Sequence, residues 1–245
     1  MIHPGPAVHR KPVRLADPPQ LLAGRENMLA DLDARLTTGD HSWPRTVVLC
    51  GFGGVGKTSV ALAYAHRRKD ELGAVWQFTA QDGTVLAAGF GELAAQLGVR
   101  DTDDPDPVAS VHAALAASSS PWLLIFDNAP SSASVEAFRP PAGHGWVLIT
   151  SQNQNWPPGL ILDVPVLSRD AAADFLVNRT GDPDTNASLD LAGELDGLPL
   201  ALEQAAAYIQ ATGDTVQGFV KVGVTVCELR GGLGVADGGV SGVPG

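Results

Sequence analysis

Gly51-Phe52-Gly53-Gly54-Val55-Gly56-Lys57-Thr58 satisfies the pattern G-x-x-x-x-G-K-[ST] of a phosphate-binding P-loop. Before it, Thr46-Val47-Val48-Leu49 is an apolar, β-branched run within the strand expected over Arg45–Cys50. After it, Ser59 to Lys69 has helical composition. The loop therefore stands between a strand and a helix, the context its chemistry needs. Glycines at 51, 53, 54 and 56 let the backbone wrap phosphate oxygens with its N–H groups turned inward, Phe52 and Val55 filling the free positions. The helix opening near Lys57 and Ser59 adds its positive dipole end. Lys57 is placed to reach the β- and γ-phosphates, and the Thr58 hydroxyl to ligate Mg²⁺. A random chain of this length matches the pattern about once in a hundred times at average residue usage, and the flanking elements lower that figure.

A second apolar strand with matching chemistry is Trp122-Leu-Leu-Ile-Phe-Asp127. A carboxylate at the end of such a strand sits beside Mg²⁺ in P-loop NTPases and fixes metal-bound water. Lys57 and Asp127 are thus the candidate catalytic residues, and Thr58 and Asp127 the candidate metal ligands.

Around these motifs strands alternate with helices. Expected strands are Ala74–Thr79, Trp122–Phe126, Trp146–Thr150 and a weaker Leu160–Val166, interrupted by Pro165. Expected helices include Leu21–Leu36, with Met28, Leu29, Leu32 and Leu36 on one face, then Val85–Val99 and Val108–Ala117. The alternation predicts an α/β protein: a doubly wound parallel sheet of P-loop NTPase type. After Ser168, an N-cap residue, only helices follow: through Arg179, Leu189–Leu195 and Leu200–Gln210. The expected organisation is a proline-rich flexible leader over 1–20, a nucleotide-binding domain over 21–167, a small helical subdomain over 168–212, and a glycine-rich disordered tail over 213–245. Within that tail Val220, Val222, Val224 and Val226 alternate, a pattern compatible with one strand.

Composition narrows the function. The 245 residues carry a net charge of −11, which argues against direct nucleic-acid binding, since phosphate backbones demand basic patches. Cys50 and Cys227 are the two cysteines, too few for a disulfide framework and suited to a reducing cytoplasm. No run of about 18 apolar residues predicts a membrane span. His3, His9, His41, His66, His112 and His144 are too dispersed for a metal cluster, so the implied metal is Mg²⁺. No Asn/Thr-Lys-x-Asp element for guanine occurs, which favours an adenine nucleotide, ATP or ADP.

Four segments together resemble the NB-ARC domain of the STAND class of P-loop NTPases, signalling ATPases of plant immune receptors and bacterial regulators. They are Leu22-Ala-Gly-Arg25-Glu26, the P-loop through Ser59, Leu124-Ile-Phe-Asp127-Asn128-Ala, and Gly197-Leu-Pro199-Leu-Ala-Leu202. Trp146-Val-Leu-Ile-Thr150-Ser151 resembles the family's sensor strand. The resemblance implies a sheet order 5-1-4-3-2 and a helical subdomain that closes over the nucleotide. It also implies that Arg25 lies near the base, that Pro199 packs by the adenine, and that Thr150 and Gln152 occupy sensor positions. Two departures stand out. Asn128 replaces the acid that often follows Asp127, and Gln152 replaces the arginine near the γ-phosphate. Neither can supply the base or the positive charge for phosphoryl transfer. The expectation is a signalling switch with slow Mg²⁺-dependent ATP hydrolysis, or else a module that binds ADP or ATP without hydrolysing it, working through a protein partner or self-association. Family members continue into winged-helix and sensor domains, so this sequence reads as truncated after the Gly-x-Pro helix.

Overall fold

The computed structural model describes residues 11–19, 22–38, 43–99 and 106–222. In chain order the elements are β1 (Val13–Arg14), α1 (Glu26–Thr37), β2 (Arg45–Cys50), α2 (Lys57–Arg68), β3 (Ala74–Thr79), α3 (Gly83–Leu97), α4 (Pro107–Ala117), β4 (Trp122–Asp127), α5 (Ser132–Val135), β5 (Gly145–Ser151), β6 (Ile161–Asp163), α6 (Arg169–Thr180), α7 (Thr185–Glu194), α8 (Pro199–Thr212) and α9 (Val216–Val222). By internal contacts these fall into two compact units. One runs to Phe52 and resumes over Gly56–Pro165; the other takes Gly53–Val55 and the chain from Val166 on.

The first unit is built on a six-stranded sheet in the order β1-β3-β4-β5-β2-β6, every pair parallel. Numbering the expected strands from β2 to β6, this is the anticipated 5-1-4-3-2 order with one strand added at the edge of β3. Parallel neighbours need crossovers, which the helices supply. The central strands β4 and β5 are buried almost throughout, and so read as continuous apolar runs. On one face Phe78 stacks on Phe90 of α3 with centroids 4.5 Å apart and on Phe126 at 5.3 Å. Asp82 caps α3, accepting from the N–H groups of Thr84 and Val85, a contribution of about 1 kcal/mol.

Three elements differ from expectation. Within the stretch expected as a flexible leader, Val13–Arg14 join the sheet as β1; residues 1–10 lie outside the described residues. The fifth expected strand shrinks to Ile161–Asp163, because Pro165 lacks the N–H a longer ladder needs. Val220 and Val222 belong to helix α9 and not to a strand: burial follows Val216 and Phe219, three residues apart, which is helical spacing. Residues 223–245 of the expected tail, Val224 and Val226 among them, lie outside the described residues, as do residues 100–105.

In the second unit α6 is capped by Ser168, whose side chain accepts from Ala171 N–H, and α7 by Asp184, which accepts from Ala187 N–H. Pro199 sits at the first turn of α8, where its fixed φ and missing N–H are tolerated.

Candidate nucleotide site

The P-loop leaves β2 at Gly51 and enters α2 at Lys57, with Gly56 as the left-handed N-cap. The unpaired N–H groups of the first turn of α2 therefore open at this loop, a standing preference for anions. Lys57 is 9% exposed and curls back on the loop, its Nζ donating to the carbonyls of Gly51 at 2.9 Å and Phe52 at 2.8 Å. Burial pulls its pKa below the ordinary lysine value, opposed by the nearby Cys50 and Asp127.

The strand register brings the remaining polar groups together. Phe126 pairs with Ile149 and Leu49 with Thr150, so Asp127 and Thr150 emerge beside the loop at the carboxyl ends of β4 and β5. That is where open α/β sheets bind ligands. Thr58 Oγ1 donates to Asp127 Oδ1 at 2.7 Å, and Thr150 Oγ1 donates to the same oxygen at 2.7 Å. Thr150 Oγ1 in turn accepts the Asn128 N–H at 2.8 Å. A third donor, Gln77 Nε2 on β3, reaches Asp127 Oδ2 at 3.4 Å. Hydroxyl and carboxylate oxygens converging at one point are the hard donors Mg²⁺ prefers; with phosphate and water, one carboxylate and one hydroxyl suffice. The residues present fit that ion.

The other expected residues are dispersed. Ser59 lies in the first turn of α2. Phe52 is 82% exposed at the tip of the loop. Arg25 is buried at the N-cap position of α1, and its Nη2 donates to the Pro165 carbonyl at 2.7 Å; burial also lowers its pKa. Gln152 is exposed just past β5. Pro199 belongs to the second unit. There the next residue, Leu200, donates its N–H to the Gly54 carbonyl at 3.1 Å, and a Cβ on Gly54 would stand 2.9 Å from Leu200 Cβ. Glycine at 54 is thus required by close packing as well as by its φ of +78°. Gln77 was missed by sequence reasoning. Its signal was available: a polar residue set between Trp76 and Phe78, inside the apolar run of the strand.

No protein-family profile matches the chain. It is 27% identical over 219 residues to the regulatory protein AfsR of Streptomyces griseus, covering 82% of this chain and 22% of that protein. It is also 27% identical over 230 residues to a nucleotide-binding leucine-rich repeat (NLR)-like protein of Hyaloscypha variabilis, covering 81% and 23%. The fold is similar to that of a STAND protein with a tetratricopeptide repeat sensor from Pyrococcus horikoshii, with a TM-score of 0.52, 17% identity, and coverage of 76% of this chain and 30% of that one. The chain has the P-loop NTPase fold, and these similarities support a domain of the NB-ARC type in the STAND class. The same fold occurs in the ORC2 protein of Aeropyrum pernix, solved in ADPNP and ADP complexes, with a TM-score of 0.54, 16% identity, and coverage of 87% and 72%. The domain spans less than a quarter of the length of its curated relatives. Among the described residues no helix is long and apolar enough to cross a membrane.

Proposed function

We propose that this NB-ARC domain is a cytoplasmic nucleotide switch that binds ATP with Mg²⁺ and hydrolyses it slowly to ADP. The observation that carries the reading is the Thr58–Asp127–Thr150 network beside a lysine folded onto its own loop. Lys57 would exchange its two carbonyl partners for phosphate oxygens, stronger acceptors for an ammonium group. The P-loop amides would hold the phosphate chain. Thr58 and Asp127 would hold Mg²⁺, which when bound neutralises phosphate charge, and Thr150 would keep the carboxylate oriented. Arg25 is assigned to the base side and Pro199 to the adenine by resemblance alone. The free, buried Cys50 thiol suits a reducing compartment. As part of a longer regulator, the domain would signal through a protein partner or self-association, without direct nucleic-acid contact.

Asn128 and Gln152 favour a second reading, a module that holds ADP or ATP as a structural ligand without turnover. One experiment separates the two. Nucleotide released by denaturing the purified chain is identified, and ATP turnover in Mg²⁺ is compared with Lys57→Ala and Asn128→Asp. Retained ADP with slow, Lys57-dependent turnover that rises in Asn128→Asp supports the switch. Bound nucleotide without turnover supports the module, and absence of any adenine-nucleotide binding refutes both.

A further inference from the structure

We propose that Gln77 is a positioning residue for the Asp127 carboxylate, itself set by the backbone of the N-terminal segment at Ala16. The inference rests on the nucleotide-site reading above and adds a route from the chain's N-terminal end to that site.

Gln77 bridges two partners. The Ala16 N–H donates to Gln77 Oε1 at 3.0 Å, and Gln77 Nε2 donates to Asp127 Oδ2 at 3.4 Å. The orientation of the carboxamide is dictated by chemistry. A backbone N–H can only donate, so it must face the oxygen, which leaves the amino group for the carboxylate. Removing the Ala16 donor leaves Gln77 Oε1 without the partner that anchors the carboxamide. The position of Ala16 is fixed in turn. Its carbonyl lies 2.9 Å from His66 Nε2, in the last turn of α2, the helix that begins with Lys57 and Thr58. Just upstream, β1 is paired to β3 through Val13–Val75 and Arg14–Trp76, and the Val75 N–H donates to the Pro12 carbonyl at 2.9 Å. Arg14 is ion-paired with Glu92 and lies 5.5 Å from the Trp76 ring centroid.

The consequence follows from counting donors on Asp127. Oδ1 takes both threonine hydroxyls, whereas Oδ2 takes Gln77. Anchoring one oxygen fixes a point; rotation of the carboxylate about its own axis stays soft, because that torsion is broad. A donor on the second oxygen sets the plane. A tilted plane points its lone pairs away from the position that Thr58 and Asp127 define together. Outer partners of metal-holding carboxylates commonly change metal affinity by about 10–100-fold. Lifting residues 12–16 from the sheet edge would therefore be felt at the metal carboxylate.

The test titrates a fluorescent ATP analogue into the full chain across a Mg²⁺ series and again in EDTA. The proteins are wild type, Gln77→Met, Ala16→Pro and the double variant. Gln77→Met keeps the side-chain volume and removes both hydrogen bonds. Ala16→Pro removes one exposed N–H and leaves Gln77 intact, so it carries the test alone if Gln77→Met fails to fold. The expected result is an increase of about tenfold in the Mg²⁺ needed for half-maximal binding in each single variant. The double variant should be no worse than Gln77→Met, and affinity in EDTA should be unchanged. An unchanged Mg²⁺ midpoint in a folded Gln77→Met, or equal losses with and without Mg²⁺, overturns the inference alone. No ATP binding by wild type overturns the nucleotide reading and this inference with it.

Discussion

Gly197→Ala tests whether the Gly-x-Pro element is needed for sterics or merely starts a helix. Gly197 has φ +62°, and a Cβ there would stand 2.2 Å from the Leu167 carbonyl oxygen. The same carbonyl belongs to a residue whose N–H donates to Gly197 O at 2.9 Å, so relieving the clash strains that bond. A left-handed L-residue costs about 1–2 kcal/mol. Displacing a packed backbone group adds roughly 1–3 kcal/mol, and weakening the hydrogen bond about 1 kcal/mol more. The sum is about 3–6 kcal/mol, a large part of a typical domain's stability. Gly213→Ala supplies the control. Gly213 has φ +69° but nothing within 4 Å of its Cβ position, so it should lose only the backbone share of about 1–2 kcal/mol. Both glycines lie in the second unit, whereas Trp43, Trp76, Trp122, Trp146 and Trp156 all lie in the first. Urea unfolding is therefore followed by far-ultraviolet circular dichroism, which sees α6–α9. At an m-value of about 1–3 kcal/mol/M, the difference between the variants should exceed roughly 0.5 M in midpoint. Equal midpoints for Gly197→Ala and Gly213→Ala would refute the steric argument.

Three further outcomes are expected. Thr150→Val keeps the shape but strips Asp127 of a donor and leaves the Asn128 N–H without its 2.8 Å acceptor; a loss of about 2–4 kcal/mol should appear in urea unfolding, with weaker Mg²⁺-dependent ATP binding. Burial lowers the Lys57 pKa from 10.5, so between the lowered value and 10.5 the folded chain binds fewer protons than the unfolded one, and nucleotide-free stability from this group rises with pH. ATP affinity should fall over the same window as the ammonium is lost, and titrations from neutral pH to 10.5 in wild type and Lys57→Met check both signs. Cys50 is fully buried, and burial raises its thiol pKa, so in a Cys227→Ser background a thiol reagent should label the native chain at least about a hundredfold more slowly than the urea-unfolded one.

The parts that were legible in the sequence are those where local pattern and tertiary demand coincide. β2, β4 and β5 are buried on both faces, so their apolar runs are long and unbroken. The P-loop glycines and Asp127 announce themselves because phosphate and metal chemistry restrict those positions to few residue types. β1 was not legible, because two residues following Pro12 carry no period, and their partner Val75 lies far along the chain. The role of Gln77 depends on that same pairing, since its oxygen is oriented by Ala16. The valine alternation near the end misled for a different reason. Val216 and Phe219 are what the helix buries, and two residues three apart are a fainter signal than a run of valines at every second position.

Position 128 separates folding from chemistry. Asn128 has φ +62°, a region that asparagine, aspartate and glycine enter far more readily than other residues. Its N–H is held by Thr150 Oγ1 at 2.8 Å, which either acid or amide permits. The backbone therefore admits aspartate as readily as asparagine, and the difference between them is chemical: a carboxylate accepts a proton from attacking water, and a carboxamide does not. Gln152, exposed beyond β5, likewise donates hydrogen bonds but brings no charge to a developing phosphoryl group. On the proposed reading, phosphate and metal binding are assembled by Lys57, Thr58 and Asp127, while the groups that hasten hydrolysis are absent from the two positions where the family most often keeps them. Turnover should then be on the order of 10⁻⁴–10⁻³ s⁻¹, the scale of an unassisted P-loop switch. At that rate the lifetime of an ATP state would be set by whatever supplies the missing base or positive charge, and control of the proposed switch would pass to a group outside these two positions.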